Sequence, residues 1–344
     1  MFEPVSAALY HAKEIGRRRG LVPPRNTPSP GGEAHVEATD VTVVMLTRNR
    51  ADLLPLSLAH LEVQTFPSGR FEILVVDQGS TDGTAAILER YSGGAPVRTR
   101  YLAVESQGPV AARNRGLELA TGRWVLFLDD DLLAGPNLVK AHVAAQNQRD
   151  GACAVVGRVD PHPQIAPATF IRRYELDPSR RLRQGQPLRF LDWRAWNLSL
   201  PRTELLEAGG FDEGFLLPGL EDLELAWRLE SGGLSGVYDE EARAYVWRPT
   251  TVEAEHERAY AEGYSLHTVL EKTRSDIVRE RYLPRLSARS ALAAALFLPV
   301  EYRACGALAP DTRLFRFLFR RVLHGAFSRG YKDASSGREP QMLA

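Results

Sequence analysis

The chain has 344 residues, 44% of them hydrophobic and 25% charged, with 43 Lys+Arg against 43 Asp+Glu. This is the composition of an ordinary globular protein with a large core, organised as about two domains or one large α/β unit. The even charge balance speaks against a nucleic-acid binder, and two distant cysteines, Cys153 and Cys305, make neither a disulfide framework nor a metal motif.

The N-terminus lacks an apolar signal core, and the late apolar run at 291–300 is too short to span a bilayer. The expected location is therefore the cytoplasm, with peripheral contact at the inner face of the membrane as an extension of that reading. Residues 1–36 are rich in Arg, Pro and Gly and read as a short helix and a linker. The apolar run 41–46 reads as a buried strand that ends in Thr47-Arg48-Asn49-Arg50, with an amphipathic helix from about Asp52. Arg48 can stack on a base or meet a phosphate there, or be a surface residue. A second strand, 71–77, runs into Gln78-Gly-Ser-Thr-Asp-Gly-Thr84. Gly79 permits a tight turn, Ser80 or Thr81 can cap the next helix, and Asp77 can accept from a ribose or base.

A third strand, 97–103, precedes a helix opened by Gly108-Pro109, which places Arg113 to face phosphates. Then comes Trp124-Val-Leu-Phe-Leu-Asp-Asp-Asp131: five apolar residues followed by three carboxylates. The run reads as a strand buried on both faces, with the carboxylates at its carboxyl end, where open α/β sheets bind ligands. If the chain stays extended, Asp129 and Asp131 point the same way and suit a hard cation, Mg²⁺ or Mn²⁺. A turn-capping Asp run is the plainer alternative. Four strand–helix units in about ninety residues predict a parallel, doubly wound α/β sheet.

A helix at 136–148 and a strand at 152–159 follow, and from Pro161 the period is lost. Trp196 and Asn197, in the polar–aromatic stretch 193–197, either line a sugar pocket or pack as a loop edge. In the helical run 220–228, Asp222 shares a face with Leu225, Ala226 and Leu229, so it points inward as a capping charge or a catalytic group. Glu221 is expected on a more exposed side, towards Glu224 and Arg228. A strand near 245–247 precedes a helix to about 275. The stretch Leu314-Phe-Arg-Phe-Leu-Phe-Arg-Arg321 suits a membrane surface, a partner or, most commonly, the protein's own core.

Taken together these residues resemble the family-2 glycosyltransferases of GT-A fold, over roughly residues 40–275. Thr47-Arg48-Asn49 is similar to the family's nucleotide-binding opening, and Asp77-Gln78-Gly79-Ser80 to its Asp-Asp-Gly-Ser turn. Ala112-Arg113-Asn114 with Gly116 is similar to its Ala-Arg-Asn-x-Gly helix. Asp129-Asp130-Asp131 resembles its DXD metal motif, and Gly209-Gly210-Phe211-Asp212 with Glu221-Asp222 its acceptor segment and base.

The resemblance implies an inverting transfer from a nucleoside diphosphate sugar to a saccharide or lipid-linked acceptor, in polysaccharide or glycolipid synthesis. Asp222 would be the base. Thr47, Arg48, Asn49, Asp77, Gln78, Arg113, Asp129 and Asp130 would bind the donor, and Glu221 would join Trp196 and Asn197 on the acceptor side. Asp131 and Asp129 would hold Mn²⁺ or Mg²⁺. The family often has Asp where Gln78 stands, Tyr where Arg48 stands and a metal-ligating His where Arg248 stands, with His256 as a nearby substitute. The implied organisation is an extension (1–39), a GT-A domain (40–275) with nucleotide (40–135) and acceptor (136–275) halves, and a helical region (276–344). A sugar-nucleotide nucleotidyltransferase and an inactive carbohydrate- or nucleotide-binding module are the rival readings.

Overall fold

A computed structural model describes residues 39–105, 108–149, 152–163, 182–247, 251–286 and 312–341. The expectations for 1–38, for Arg248, for the run 291–300 and for Cys305 lie outside the described residues.

The first half alternates strand and helix: β1 (Val41–Thr47), α1 (Leu54–Glu62), β2 (Phe71–Asp77), α2 (Thr84–Ser92), β3 (Arg98–Ala103), α3 (Pro109–Leu119) and β4 (Trp124–Leu128). Strands β3, β2, β1 and β4 lie side by side and parallel, so β1, β2 and β4 all end on the same edge. The unbroken apolar run of β4 is explained by two cores. Trp124, Leu126 and Leu128 enter one, and Val125 and Phe127 enter the other.

The second half is mixed rather than parallel. It contains β5 (Leu132–Ala134), α4 (Leu138–Asn147), β6 (Cys153–Pro161), β7 (Pro187–Leu188), β8 (Asn197–Pro201), α5 (Arg202–Glu207), α6 (Glu221–Ser231) and β9 (Ser235–Val246). β8 runs antiparallel between β4 and β6, β9 pairs parallel with β6, and β5 and β7 flank β9 antiparallel. The strand expected near 245–247 is the end of the twelve-residue β9.

The chain then forms α7 (Val252–Thr273), α8 (Asp276–Tyr282) and, after the undescribed 287–311, α9 (Arg313–Ser335). Helices α7 and α9 cross closely. A Cβ on Gly263 would sit 2.0 Å from the Phe327 carbonyl oxygen, and one on Gly330 2.0 Å from that of Tyr260. The late aromatic stretch is therefore packed on its own core along one face, with Phe315, Phe319 and Val322 buried.

Candidate active site

The strand-end loops of β1 and β2 brace each other. Asn49, at φ 53, takes the Thr81 N–H on its side-chain oxygen at 2.8 Å and donates its own N–H to Ser80 Oγ at 2.8 Å. Ser80 Oγ donates in turn to Asp77 Oδ1 at 2.5 Å, and Asp82 accepts from Ala51 N at 3.1 Å and from Thr84 N at 2.9 Å. Ser80 and Thr81, expected as caps, thus tie the neighbouring loop, and α2 begins only at Thr84. Thr47 and Asp77 are buried, Arg48 and Asn49 are exposed, and Gln78 lies half-buried between them.

The acidic triplet is a turn, not a strand extension. β4 ends at Leu128, and the Leu132 N–H donates to the Asp129 carbonyl at 3.1 Å. The alternation expected of an extended chain therefore does not apply to Asp129 and Asp131. The turn is pinned from two sides: Asp129 N donates to the Trp196 carbonyl at 3.1 Å, and Trp247 N to the Asp131 carbonyl at 3.0 Å. Asp130 is buried with Arg50 Nε 3.5 Å from its Oδ2. Burial, and then the Asp131 charge, push its carboxyl up to about 7 against the pull of Arg50. Asp131 Oδ1 is buried and has no hydrogen-bond partner among the described residues.

Facing this turn is the start of α6. Arg113, from α3, donates to Glu221 Oε1 at 2.5 Å, and Glu221 Oε2 accepts the Gly219 N–H at 2.5 Å. Burial acts to lower the Arg113 pKa, but the charges of Glu221, Asp129 and Asp222 outweigh it and hold it above its ordinary value. Arg113 is thus the cation that the acidic turn and the first turn of α6 share.

Asp222, 15% exposed at its side chain, accepts from Ala195 N at 3.3 Å and has Arg194 Nη1 3.6 Å from its Oδ1. Its pKa is raised by burial, opposed first by Arg194, with Glu221 adding to the rise and Arg113 opposing it. Arg194 also donates to the Tyr282 hydroxyl at 3.5 Å, which links the pair to α8.

Three expectations are corrected. Glu221 and Glu224 are buried, not on an exposed side, because Arg113 and Arg228 neutralise them there. Asn197 lines no sugar pocket: fully buried, it donates to the Ala242 carbonyl at 2.8 Å and meets His142 Nε2 at 2.9 Å, joining β9 to α4. Trp196 is packed in the core under the β1–β4 half.

His256 does not join the acidic turn. Its Nε2 lies 3.0 Å from Arg329 of α9, and burial, then that arginine, hold its pKa down to about 4. Among the described residues no three His, Cys, Asp or Glu side chains form a metal-holding group. Arg248, the other position in question, is outside them.

Arg194, Arg50 and the role of Asn114 were missed from sequence. Asn114 grips the backbone of Phe211 at both ends: its amide donates to the carbonyl at 2.8 Å and its oxygen accepts the N–H at 2.8 Å. Gly210, at φ 70, leaves room for this, since a Cβ there would lie 2.6 Å from Asn114 Oδ1. The Gly-Gly-Phe spacing after an Arg-Asn pair was the available signal.

An open sheet whose parallel strand ends carry braced loops and an acidic turn, facing a buried carboxylate at a helix start, defines a GT-A fold. The family model for glycosyl transferase family 2 matches residues 42–199, and this stretch is a glycosyl transferase family 2 domain.

Validoxylamine A glucosyltransferase of Streptomyces hygroscopicus subsp. jinggangensis is 33% identical over 264 residues, 69% of this chain and 60% of that protein. Hyaluronan synthase of Pasteurella multocida is 26% identical over 266 residues, 67% of this chain and 27% of that protein. The chain thus spans 60% or less of the length of these two relatives. Among solved structures, mannosyltransferase PcManGT from Pyrobaculum calidifontis, in complex with GDP-Man and Mn²⁺, superposes with a TM-score of 0.61 at 20% identity, covering 98% of this chain and 96% of that one. S. aureus TarS 1-349 in complex with UDP gives 0.53 at 18% identity, covering 88% and 93%. Both share the fold.

Proposed function

We propose that the chain moves a sugar from a nucleoside diphosphate sugar to an acceptor hydroxyl, inverting the anomeric carbon. The observation that carries this is the shared cation: Arg113 binds the acid next to Asp222 and feels both Asp129 and Asp222. A base and a diphosphate-side acidic turn are thereby held on one cleft. Asp222 accepts the acceptor's proton while its oxygen attacks the anomeric carbon, and the bond to the nucleoside diphosphate breaks with its electron pair leaving on the phosphate. The raised Asp222 pKa makes it a stronger proton acceptor than a solvated carboxylate, and Arg194 opposes that rise, favouring the ionised form.

The acidic turn fits a hard divalent cation. A buried Asp131 oxygen with no hydrogen-bond partner among the described residues is costly unless something positive meets it. Asp131 and Asp129 would hold Mn²⁺ or Mg²⁺, which when bound neutralises charge on the departing diphosphate. The Mn²⁺ named with the mannosyltransferase structure supports that choice.

The rim formed by Thr47, Arg48, Asn49, Asp77 and Gln78 is the proposed nucleoside seat, with Asp130 beneath it, within a 40–135 nucleotide half. Residues 136–275 are the proposed acceptor half, where Glu221 and Asp222 stand, and the described helices α8 and α9 belong to a separate C-terminal region, 276–344. Relatives named for hyaluronan and for poly(ribitol-phosphate) support a polymer as acceptor. A screen of UDP-, GDP- and dTDP-sugars with and without Mn²⁺ tests the reading. It predicts cation-dependent release of a nucleoside diphosphate from one of them. Release of pyrophosphate from a nucleoside triphosphate and a sugar phosphate would identify a nucleotidyltransferase instead, and binding without turnover an inactive module.

A further inference from the structure

The first half of α9 has a face that takes no part in the core or in the proposed reaction among the described residues. At about 100° per residue, Phe315, Phe319, Val322 and Ala326 share one side of the helix, and all four are buried. The stripe two residues out of step, Arg313, Phe317, Arg320 and His324, falls on the opposite side and is exposed throughout. Leu314 and Arg321 flank it. Leu314 and Phe317 are 55% and 58% exposed, among the most exposed large apolar side chains described. The Arg321 guanidinium stands 5.8 Å from the Phe317 ring centroid.

The charge on this helix is one-sided. From Arg313 to Lys332 the sequence carries five arginines and a lysine and not one carboxylate. Two isolated apolar side chains set among cations make a poor protein interface, whose centre is a contiguous apolar patch depleted of charge. They match the interface of an anionic bilayer, where a shallow apolar insertion and headgroup attraction act together and neither suffices alone. Arginine stems lie along the apolar boundary while their heads stay at the phosphates. No described helix is long and apolar enough to cross a membrane, so such contact would be peripheral.

We propose that the outer face of α9, through Leu314 and Phe317 with Arg313, Arg320 and Arg321, docks the protein on an anionic lipid surface. This proposal does not depend on the reaction assigned above.

The test is co-sedimentation of the full chain with vesicles of pure phosphatidylcholine or of phosphatidylcholine with phosphatidylglycerol. The expected result is binding to the anionic vesicles only, lost as salt rises. It should fall at least tenfold in Leu314→Ser/Phe317→Ser and again in Arg313→Glu/Arg320→Glu. These exposed positions should leave the melting temperature unchanged, so loss of fold cannot mimic loss of binding. Equal binding to both vesicle types, no binding to either, or variants that bind like the wild type would overturn the proposal. So would light scattering that shows a wild-type oligomer which Phe317→Ser converts to monomer, since the face would then be covered by a second copy.

Discussion

The strand-end loops of β1 and β2 and the charged start of α6 are held by different forces. The nucleotide-side loops are tied by short hydrogen bonds, nearly all within 35 residues of sequence, such as Asn49 to Thr81 and Asp82 to Thr84. Arg48, Arg50, Asp77 and Asp82 carry charge there, but most of the ties run between backbone, hydroxyl and amide groups, and much of the rim is exposed. The proposed acceptor side is a cluster of formal charges, Glu221 buried and Arg113, Asp222 and Arg194 half-buried, gathered from α3, α6 and the loop before β8. A network of short-range hydrogen bonds at a largely exposed rim costs less to rearrange, which suits the proposed role of admitting a ligand. A largely desolvated charge cluster is costlier to disturb, which suits the proposed role of a base held in one place.

That contrast can be broken first at the acidic turn. Asp131→Ala should lower sugar transfer by about 10³-fold, or ~4 kcal/mol, and abolish the Mn²⁺ dependence of donor binding, read by calorimetry. Unchanged Mn²⁺ dependence would move the cation elsewhere.

The neutral core beneath the acceptor half gives the next effect. His142 is buried between Ser199 and Asn197, and burial holds its pKa down to about 4 against the Asn197 contact. A depressed folded pKa means that the stability is complete above about 6.5 and is lost as pH falls towards 4. The loss should reach about 3 kcal/mol by urea melts. His142→Gln should flatten that part of the stability–pH curve even though it lowers the plateau.

Within the charged cluster, Glu221→Gln should cost about 2 kcal/mol in thermal unfolding. That is less than the ~3–5 kcal/mol of a fully orphaned buried charge, because Asp129 and Asp222 still face Arg113. On the solvated rim, Asn49→Ala should cost only about 1 kcal/mol, although it loses two side-chain contacts and leaves a non-glycine residue at positive φ. An Asn49 loss as large as the Glu221 loss would erase the distinction between the two sides.

The same difference decides what the sequence shows. Local devices are legible: the apolar run of β4, the Gly79 turn, Pro109 opening α3 and the inward Asp222 all follow from neighbours a few residues away. Long-range pairs are not. Arg113 meets Glu221 across 108 residues, and no period in either helix announces it.

Two errors have definite causes. The alternation read into Asp129 and Asp131 assumed that the strand continued, but its ladder to β8 stops at Leu128 and the chain turns there. Trp196 and Asn197 looked like a sugar platform because aromatic and amide groups suit one. The same groups also suit a core where an amide can satisfy two strands and a histidine, and that is how Asn197 is used.

The central claim is that Asp222 is the proton acceptor, held opposite the acidic turn but outside donor binding. Asp222→Asn keeps the shape and removes the charge, so donor affinity by calorimetry and transfer rate should be measured on the same sample. The account predicts an unchanged donor Kd with transfer down by about 10²–10⁴-fold. Wild-type transfer in this variant would contradict it.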